Sequence, residues 1–278
     1  MDGTACGKAL YLVGRLSCPA PLRKVAADLM VADVYSLARL SGLDGIGPRW
    51  AIGGLLTLLF AALARRMHGV TTSGALAGAV SCFVLYLGGG SGAFAALITV
   101  FGLAWITTRL GYQRKLRLGT AEKREGRKAS QVLANLGVAT FCAALHAFRP
   151  GQTVLLLALT AALSEAAADT VSSEVGQAFG EKARLITTWA SVPGGTNGAV
   201  SLTGTLAGIA AATIVSSVSV FSGLLPRPWL VISLGAAILG TVADSLLGAW
   251  LERRGVLNND SVNFLSTAVA ALAAYWLS

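Results

Sequence analysis

The sequence has little charge, few aromatic residues and very little cysteine or histidine. Of its 278 residues, 13% are charged and 7% are aromatic, and there are 4 cysteines and 2 histidines. The cysteines show no CxxC spacing, so we predict free thiols rather than a disulfide framework or a zinc site. The histidines have no carboxylate at catalytic spacing, and no GxSxG, HExxH or Walker A motif occurs. These absences disfavour hydrolases, zinc enzymes and P-loop enzymes.

Apolar residues and glycine dominate instead. The chain is 54% hydrophobic, contains 33 glycines and has a mean hydropathy of +0.67. These values are typical of a bilayer protein with closely packed helices. Because a spanning helix needs roughly 20 apolar residues, we predict an all-α polytopic integral membrane protein with about eight transmembrane helices. The predicted spans lie near 50 to 65, 74 to 87, 93 to 109, 130 to 147, 152 to 171, 199 to 222, 229 to 250 and 262 to 277.

The distribution of basic residues predicts the orientation of these spans. Alternation from Arg65 and Arg66 places nearly all the Lys and Arg residues of the connecting loops on one side, leaving Arg149 and Arg227 on the other. Cytoplasmic loops collect Lys and Arg, so we predict a multi-pass protein of the plasma (inner) membrane with its active site facing the cytoplasm. This bias also explains most of the net charge of +9. Since the sequence shows no basic platform interleaved with aromatic residues, a nucleic-acid partner is not predicted.

Residues 1 to 49 are predicted to form an N-terminal extension before a single polytopic membrane domain at 50 to 278. The stretch from 21 to 40 has helical periodicity with mixed faces. This pattern favours an interfacial amphipathic helix over a membrane span. A cleavable signal peptide is not predicted, because the apolar region that one requires is missing.

Three carboxylates lie at the end of an apolar run, in "SEAAADTVSSEVG" from 164 to 176. On a helix, Glu165, Asp169, Ser172 or Ser173, and Gly176 share one face. Carboxylates at membrane depth cost several kcal/mol unless they are paired, hydrated or bound to a cation. The pattern therefore predicts a functional site inside the bundle, and interhelical polar packing is the alternative.

A second segment, "ADSLLGAW" from 243 to 250, begins like "ADTVSSEV" from 168 to 175. In the predicted topology both segments lie toward the cytoplasmic ends of their helices, so Asp169 and Asp244 are expected to face each other across a cavity. Carboxylate oxygens, water and substrate phosphates are the ligands that Mg²⁺ prefers. The pair is therefore a candidate magnesium site.

The stretch "SVPGGTNGAVSLTGTLAG" from 191 to 208 combines helix breakers with small polar residues. Pro193, Gly194 and Gly195 end any helix, and a new helix is predicted to start near Gly198. Free backbone N–H groups at such a start can bind an anion, which suits a phosphate. A plain loop between spans is the alternative.

The most basic part of the chain, from 107 to 135, contains Arg109, Arg114 and Lys115. We predict that these side chains neutralise phosphates, and that Gln131 and Asn135 on the next helix face the same cavity. Anchoring to anionic headgroups is the alternative.

Polar residues also cluster just before the last span, at Asn258, Asn259, Asp260 and Asn263. So many amides at a membrane entry predict a polar-lined site, although Asn and Asp are also ordinary N-caps.

Seven segments in one order resemble an integral-membrane family, long catalogued as of unknown function, that includes plant and cyanobacterial phytyl-phosphate kinase. The match covers about 65 to 278, and members look like relatives of the CTP-dependent phytol and dolichol kinases, whose "DS" motifs are similar to those around Asp169 and Asp244. The segments are "TSGALAG" (72 to 78), "TTRLG" with "RK" (107 to 115), "QVLAN" (131 to 135), "ADTVSSEVG" (168 to 176), "VPGGTNGAVSLTGTLAG" (192 to 208), "ADSLLGA" (243 to 249) and "NNDSVNFLS" (258 to 266).

The resemblance implies a kinase that converts a phytyl or geranylgeranyl type of prenyl monophosphate into the diphosphate, with CTP or another nucleoside triphosphate as donor and Mg²⁺ as cofactor. On this hypothesis Asp169, Glu174 and Asp244 hold Mg²⁺, and Arg109 and Lys115 assist catalysis at the phosphates. No general base is required, because an acceptor phosphate is already an anionic nucleophile. The predicted substrate-binding residues are Gln131, Asn135, Ser173, Gly194, Gly195, Thr196, Asn197, Gly198, Ser201, Asp260 and Asn263.

Two other functions remain open at this point. A secondary transporter or lipid flippase would also show broken helices, intramembrane carboxylates and a repeated motif. A CTP-dependent cytidylyltransferase would use the same substrates and release pyrophosphate. The sequence leaves a homo-oligomer open as well.

Overall fold

The computed structural model describes residues 46 to 180 and 182 to 278. The predicted interfacial helix at 21 to 40 lies outside the described residues, as do Cys6 and Cys18. Residues 52 to 278 form one compact unit. The elements in chain order are α1 (Ile46–Arg66), α2 (Thr72–Arg109), α3 (Tyr112–Leu118), α4 (Ala129–Phe148), α5 (Val154–Phe179), β1 (Ala183–Leu185), β2 (Ser191–Val192), β3 (Ala199–Val200), α6 (Leu202–Phe221), α7 (Trp229–Leu247), which continues as a π-helical turn (Gly248–Glu252), and α8 (Asn259–Leu277).

In the described part of the chain, six helices are long and apolar enough to cross a membrane: α1, α2, α4, α5, α6, and α7 with its π-helical turn. This architecture confirms the all-α polytopic membrane fold. The number of spans and the side that each loop faces stay predictions.

Helix α2 contains 38 residues, which is far more than one crossing needs. It is broken at Gly90, whose φ of 64° and ψ of −155° are not helical. The chain then turns back, because Trp105 Nε1 and Arg109 Nη2 near its end both donate to the carbonyl of Met67, before its start. The turn predicted in "GGGSG" is therefore present, and α2 is a pair of antiparallel helices.

Helix α5 lies at the centre of the bundle and packs against α2, α4, α6, α7 and α8. Its alanines are small enough to let neighbouring backbones approach, and the neighbours contribute glycines at the crossings. A Cβ at Gly208 of α6 would lie 2.9 Å from the Ala168 carbonyl, and one at Gly240 of α7 would lie 2.6 Å from Glu165 Cγ. The small residues therefore bring α6 and α7 against the carboxylate face of α5.

The structure corrects three predicted boundaries. Helix α5 continues to Phe179, beyond the predicted end of the span near 171, so Ser173 and Gly176 lie on the same helix as Glu165, as the shared face requires. Helix α6 begins at Leu202 and not near Gly198, because residues 199 and 200 pair with β1. The basic segment from 107 to 135 contains the short helix α3, which the sequence did not predict.

The three strands form a small antiparallel sheet in the order β2-β1-β3. Arg184 of β1 lies opposite Ser191 of β2 and Val200 of β3. The segment from 193 to 198 is therefore a loop that leaves one edge strand and returns to the other. The sheet holds both ends of this loop beside the start of α6.

The cysteine prediction is confirmed where the structure describes it. Cys82 and Cys142 are buried free thiols.

Candidate functional site

Two separate cavities lie on opposite sides of α5, whereas the sequence analysis predicted a single cavity. The polar cavity, of about 400 Å³, is lined by α5, α6, α7 and the loop from 193 to 198. The apolar cavity, of about 480 Å³, is lined by α1, α2, α4 and the segment around α3. The neighbouring residues Asp169 and Thr170 of α5 face the polar and the apolar cavity respectively. One turn of α5 therefore separates the two cavities.

The polar cavity brings together the two carboxylates that the sequence paired. Asp169 and Asp244 both line this cavity, and their carboxyl groups interact electrostatically. Asp244 Oδ2 is buried and has no hydrogen-bond partner among the described residues. Burying a carboxylate oxygen without a partner is costly, so this atom is suited to a cation or a bound donor.

Two further carboxylates surround this pair. Glu165, about one turn of α5 before Asp169, is 1% exposed, and its Oε1 also lacks a partner in the described structure. Glu252 lines the cavity from the π-helical turn after α7. The sequence reasoning noted Glu165 on the shared face but did not include it in the site, and it did not select Glu252. Single π turns occur frequently at functional sites.

The loop from 193 to 198 fits closely beside Asp244. Gly198 has a φ of +76°, and a Cβ there would lie 2.5 Å from the backbone N of Ala249. Only glycine fits this approach, which places the loop against the π-helical turn. The backbone N–H groups of Gly194, Gly195, Asn197 and Gly198 bond to no backbone carbonyl of the described residues. Such N–H groups can bind an anion by donating hydrogen bonds to it.

Other residues predicted to bind substrate also line the polar cavity, namely Ser173, Thr196 and Ser201. Thr196 Oγ1 donates to the Pro193 carbonyl over 2.8 Å, which stabilises the turn. Ser201 is the N-cap of α6, and its Oγ accepts from Gly204 N over 3.1 Å. Ser201 therefore has a structural role whatever it binds.

The predicted roles of Lys115 and Glu174 do not match their surroundings. Lys115 is fully buried, and its Nζ donates to the carbonyls of Thr107 and Thr108 and to Glu174 Oε2, at 3.1, 2.7 and 2.5 Å. Thr108 Oγ1 also donates to Glu174 Oε1, over 3.0 Å. Neither Lys115 nor Glu174 lines either cavity. This arrangement was not expected from the sequence because α3, which turns Lys115 inward, was not predicted, and the catalytic roles of the two residues stay predictions.

Among residues 46 to 180 and 182 to 278, no group of three or more His, Cys, Asp or Glu side chains has the geometry to hold a metal by itself. The predicted set of Asp169, Glu174 and Asp244 is therefore divided, since Glu174 pairs with Lys115. The two remaining carboxylates still fit Mg²⁺, which is often held by one or two carboxylates together with water and substrate phosphates.

The apolar cavity contains the other predicted polar residues. Arg109, Gln131 and Asn135 all line it, as the sequence predicted for a shared site, but they lie on the opposite side of α5 from the loop at 193 to 198. Gln131 Nε2 donates to Glu122 Oε2 over 3.1 Å. Asn135 Oδ1 is buried and has no partner in the described structure. His68, which the sequence gave no role, also lines this cavity.

Arg127 is a further residue that was not predicted from the sequence. Its guanidinium lies in the apolar cavity, 3.4 to 3.5 Å from Thr170 Oγ1, and its charge also acts on Asp169. Arg127 is therefore the cation at the boundary between the two cavities. It lies within the basic segment that the sequence singled out, but composition alone does not distinguish it from its basic neighbours.

The backbone on either side of Arg127 is fixed by close contacts. Arg127 N donates to the Gly69 carbonyl over 3.1 Å, and Thr71 N donates to the Arg127 carbonyl over 2.9 Å. Gly126 has a φ of +87°, and a Cβ there would lie 2.5 Å from Val70 N. These contacts hold the segment after α3 against the start of α2, which positions the Arg127 side chain.

Asp260 and Asn263, predicted to bind substrate, line neither cavity. Asn258 is the N-cap of α8, and its Oδ1 accepts from Ser261 N over 2.9 Å. The capping alternative is therefore present at Asn258, while Asn259 reaches the polar cavity.

Comparison with known proteins identifies several relatives. The chain is 37% identical to the uncharacterized membrane protein sll0875 of Synechocystis sp. over 65% of this chain and 72% of that one. It is 32% identical to the uncharacterized membrane protein MJ0933 of Methanocaldococcus jannaschii over 78% and 90% of the two chains. It is 29% identical to protein VTE6, chloroplastic, of Arabidopsis thaliana over 84% and 73%. No solved structure matches.

The family model described as integral membrane protein DUF92 matches residues 55 to 271. This range includes all the described residues that line the two cavities, and the match confirms the family resemblance that the seven sequence segments indicated. Since the match covers most of the chain, the protein belongs to the DUF92 family of integral membrane proteins.

Proposed function

We propose that this protein is a membrane-embedded prenyl monophosphate kinase, which transfers a phosphoryl group from CTP or another nucleoside triphosphate to give the prenyl diphosphate. The observation that carries the proposal is the polar cavity, in which the Asp169 and Asp244 pair lies beside a loop with free backbone N–H groups. The family resemblance supports the same reaction. The arrangement of basic residues supports a plasma-membrane location with this cavity open to the cytoplasm.

Mg²⁺ is the expected cofactor. Asp169 and Asp244 would hold it, because both line the polar cavity and Asp244 Oδ2 has no partner in the described structure. Bound there, the ion would offset charge on the donor phosphates.

The protein groups around this pair supply orientation and charge. The N–H groups of the loop at 193 to 198 can hold donor phosphates, and small side chains such as Thr196 leave space for them. Arg127, at the boundary between the cavities, can stabilise the negative charge of the transferred group. Positioning and electrostatics are the main demands of phosphoryl transfer.

One observation favours a second candidate, a secondary transporter. Glu165 is buried at the centre of the bundle and has an oxygen without a partner among the described residues, and intramembrane carboxylates of this kind mark ion pathways in carriers. A secondary carrier would not bind a nucleotide in a Mg²⁺-dependent way. Nucleotide binding therefore distinguishes the two functions.

The direct test uses purified protein in detergent with Mg²⁺, a prenyl monophosphate and CTP or ATP labelled at either the α or the γ phosphate. Transfer of the γ label to the lipid is expected for the kinase. Transfer of the α label would instead identify a cytidylyltransferase. No transfer with phytyl, geranylgeranyl or farnesyl monophosphate, from protein shown to be folded, would contradict both enzymes and favour the carrier.

A further inference from the structure

We propose that the apolar cavity is the acceptor site, which holds one prenyl chain among α1, α2 and α4 with its single phosphate at the basic mouth. The proposal rests on the proposed function, since it assigns the acceptor to one cavity and leaves the other to the nucleotide. It goes beyond that function because it states where the prenyl chain lies and which residue limits the length of that chain.

The walls of the cavity suit a hydrocarbon chain. Leu97, Phe101 and Leu136 line it, and its volume of about 480 Å³ lies within the range of small-molecule sites. Leu97 precedes Arg109 by twelve residues of helix, so the lining extends about 18 Å from the mouth along α2. The cavity is therefore long enough for an extended chain.

One wall of this cavity is aromatic, with Phe60 and Phe101 in the lining. Phe60 packs edge-to-face against Phe101 and Phe94, with ring centroids 5.2 and 6.0 Å apart. Such packing holds the Phe60 ring in a fixed orientation. We infer that Phe60 limits the length of the chain that the cavity accepts.

The mouth carries the charge that a monophosphate needs. Arg109, Lys123, Arg124 and Arg127 line it, with one carboxylate, Glu122, which accepts from Gln131. The Arg109 guanidinium also lies 4.0 Å from the centre of the Trp105 ring, which restrains it. Apolar walls below a cationic rim match a lipid with one anionic head group.

The position of the phosphate follows from Arg127. A phosphate beside Arg127 and Thr170 would lie next to Asp169 across one residue of α5, and therefore close to the donor phosphates of the polar cavity. This juxtaposition lets an acceptor oxygen attack the γ-phosphorus: a P–O bond forms to the acceptor, the bond to the leaving nucleoside diphosphate breaks, and that diphosphate takes the electron pair. No further reactant is needed.

A leucine substitution at Gly78 tests where the prenyl chain lies, and the same substitution at Gly102 is the matched control. A Cβ at Gly78 would lie 3.9 Å from Val132 Cγ1, so a leucine side chain fits there and projects into the cavity that Gly78 lines. Gly102 lies on the other half of α2, has nothing within 4 Å of its Cβ position and does not line the cavity. The same substitution is thus compared inside and outside the cavity.

The experiment measures equilibrium binding of geranyl, farnesyl and geranylgeranyl monophosphate to the purified variants, without nucleotide or Mg²⁺. We expect the wild type to bind longer chains more tightly. In Gly78→Leu, geranylgeranyl monophosphate should bind at least about tenfold more weakly, because several buried methylenes lose their place. Geranyl monophosphate should change by less than about threefold, and Gly102→Leu should leave the whole series unchanged.

If Gly78→Leu does not fold, Phe60→Ala tests the same idea in the opposite direction, since a deeper cavity should increase the preference for the longest chain. Equal effects of Gly78→Leu and Gly102→Leu, or affinities independent of chain length, would overturn the proposal. So would equal binding of geranylgeraniol, which lacks the phosphate, or equal competition by phosphatidylglycerol, which has two chains. Because nucleotide is absent, failure of the kinase assay alone leaves this result intact.

Discussion

The two cavities differ in the sign of their charge and in the polarity of their walls. The polar cavity has the carboxylates of Asp169, Asp244 and Glu252 beside a glycine loop, whereas the apolar cavity has a hydrocarbon lining below a basic mouth. Both use the same turn of α5. A carrier needs one site that opens to two sides, but a kinase for a lipid substrate needs two different sites that meet. The difference between the cavities is therefore the structural reason to favour an enzyme.

The largest effect is expected from removing a charge in the polar cavity. Asp169→Asn should keep the protein folded but lower turnover by orders of magnitude, since the proposed Mg²⁺ ligand loses its charge. The measurement is label transfer at saturating substrates, with protein folding checked by thermal unfolding. Glu125→Gln, which alters an exposed carboxylate outside both cavities, is the control. Full activity of Asp169→Asn would remove the metal assignment.

A smaller but still large effect is expected at the boundary between the cavities. Arg127→Ala should reduce kcat by about 10²-fold, the typical loss when one donor to a developing charge is removed. The side chain can be removed without releasing the segment, because the bonds to Gly69 and Thr71 use the Arg127 backbone.

Arg117→Ala is the matched control for Arg127→Ala, since Arg117 is exposed on α3 and lines neither cavity. Arg127→Lys should recover part of the activity because it keeps the charge but not the planar guanidinium. Similar kcat values for Arg127→Ala and Arg117→Ala would show that the boundary cation has no part in turnover.

The polar cavity could be predicted from sequence better than the apolar one. Asp169 and Asp244 are carboxylates on strongly apolar helices, which by itself predicts a functional site, and the structure places both of them on the polar cavity. The position of Arg127 depends on the pairing of its backbone with Val70, far away along the chain, and Lys115 is directed by a helix of only seven residues. Backbone pairing between distant residues and a helix of seven residues leave no hydrophobic periodicity in the sequence from which they could be predicted.

The ion pair between Lys115 and Glu174 allows a test of whether these two residues are structural or catalytic. Lys115→Ala should destabilise the protein by about 3 to 5 kcal/mol, because Glu174 keeps a buried charge without its cation. The double variant Lys115→Met with Glu174→Gln should recover most of this stability, measured by thermal unfolding in detergent. A double variant that is stable but inactive would restore the catalytic role predicted from sequence.

The smallest effect compares one helix cap beside each cavity. Thr71 caps α2 and Ser201 caps α6, and each hydroxyl accepts a backbone N–H over 3.1 Å. Replacing either residue by alanine should cost about 1 kcal/mol of stability. Ser201 also lines the polar cavity, whereas Thr71 lines neither cavity. If Ser201 binds a phosphate as predicted, Ser201→Ala should raise the KM for the nucleotide while Thr71→Ala does not. Equal KM values in these two equally destabilised proteins would mean that Ser201 is only a cap.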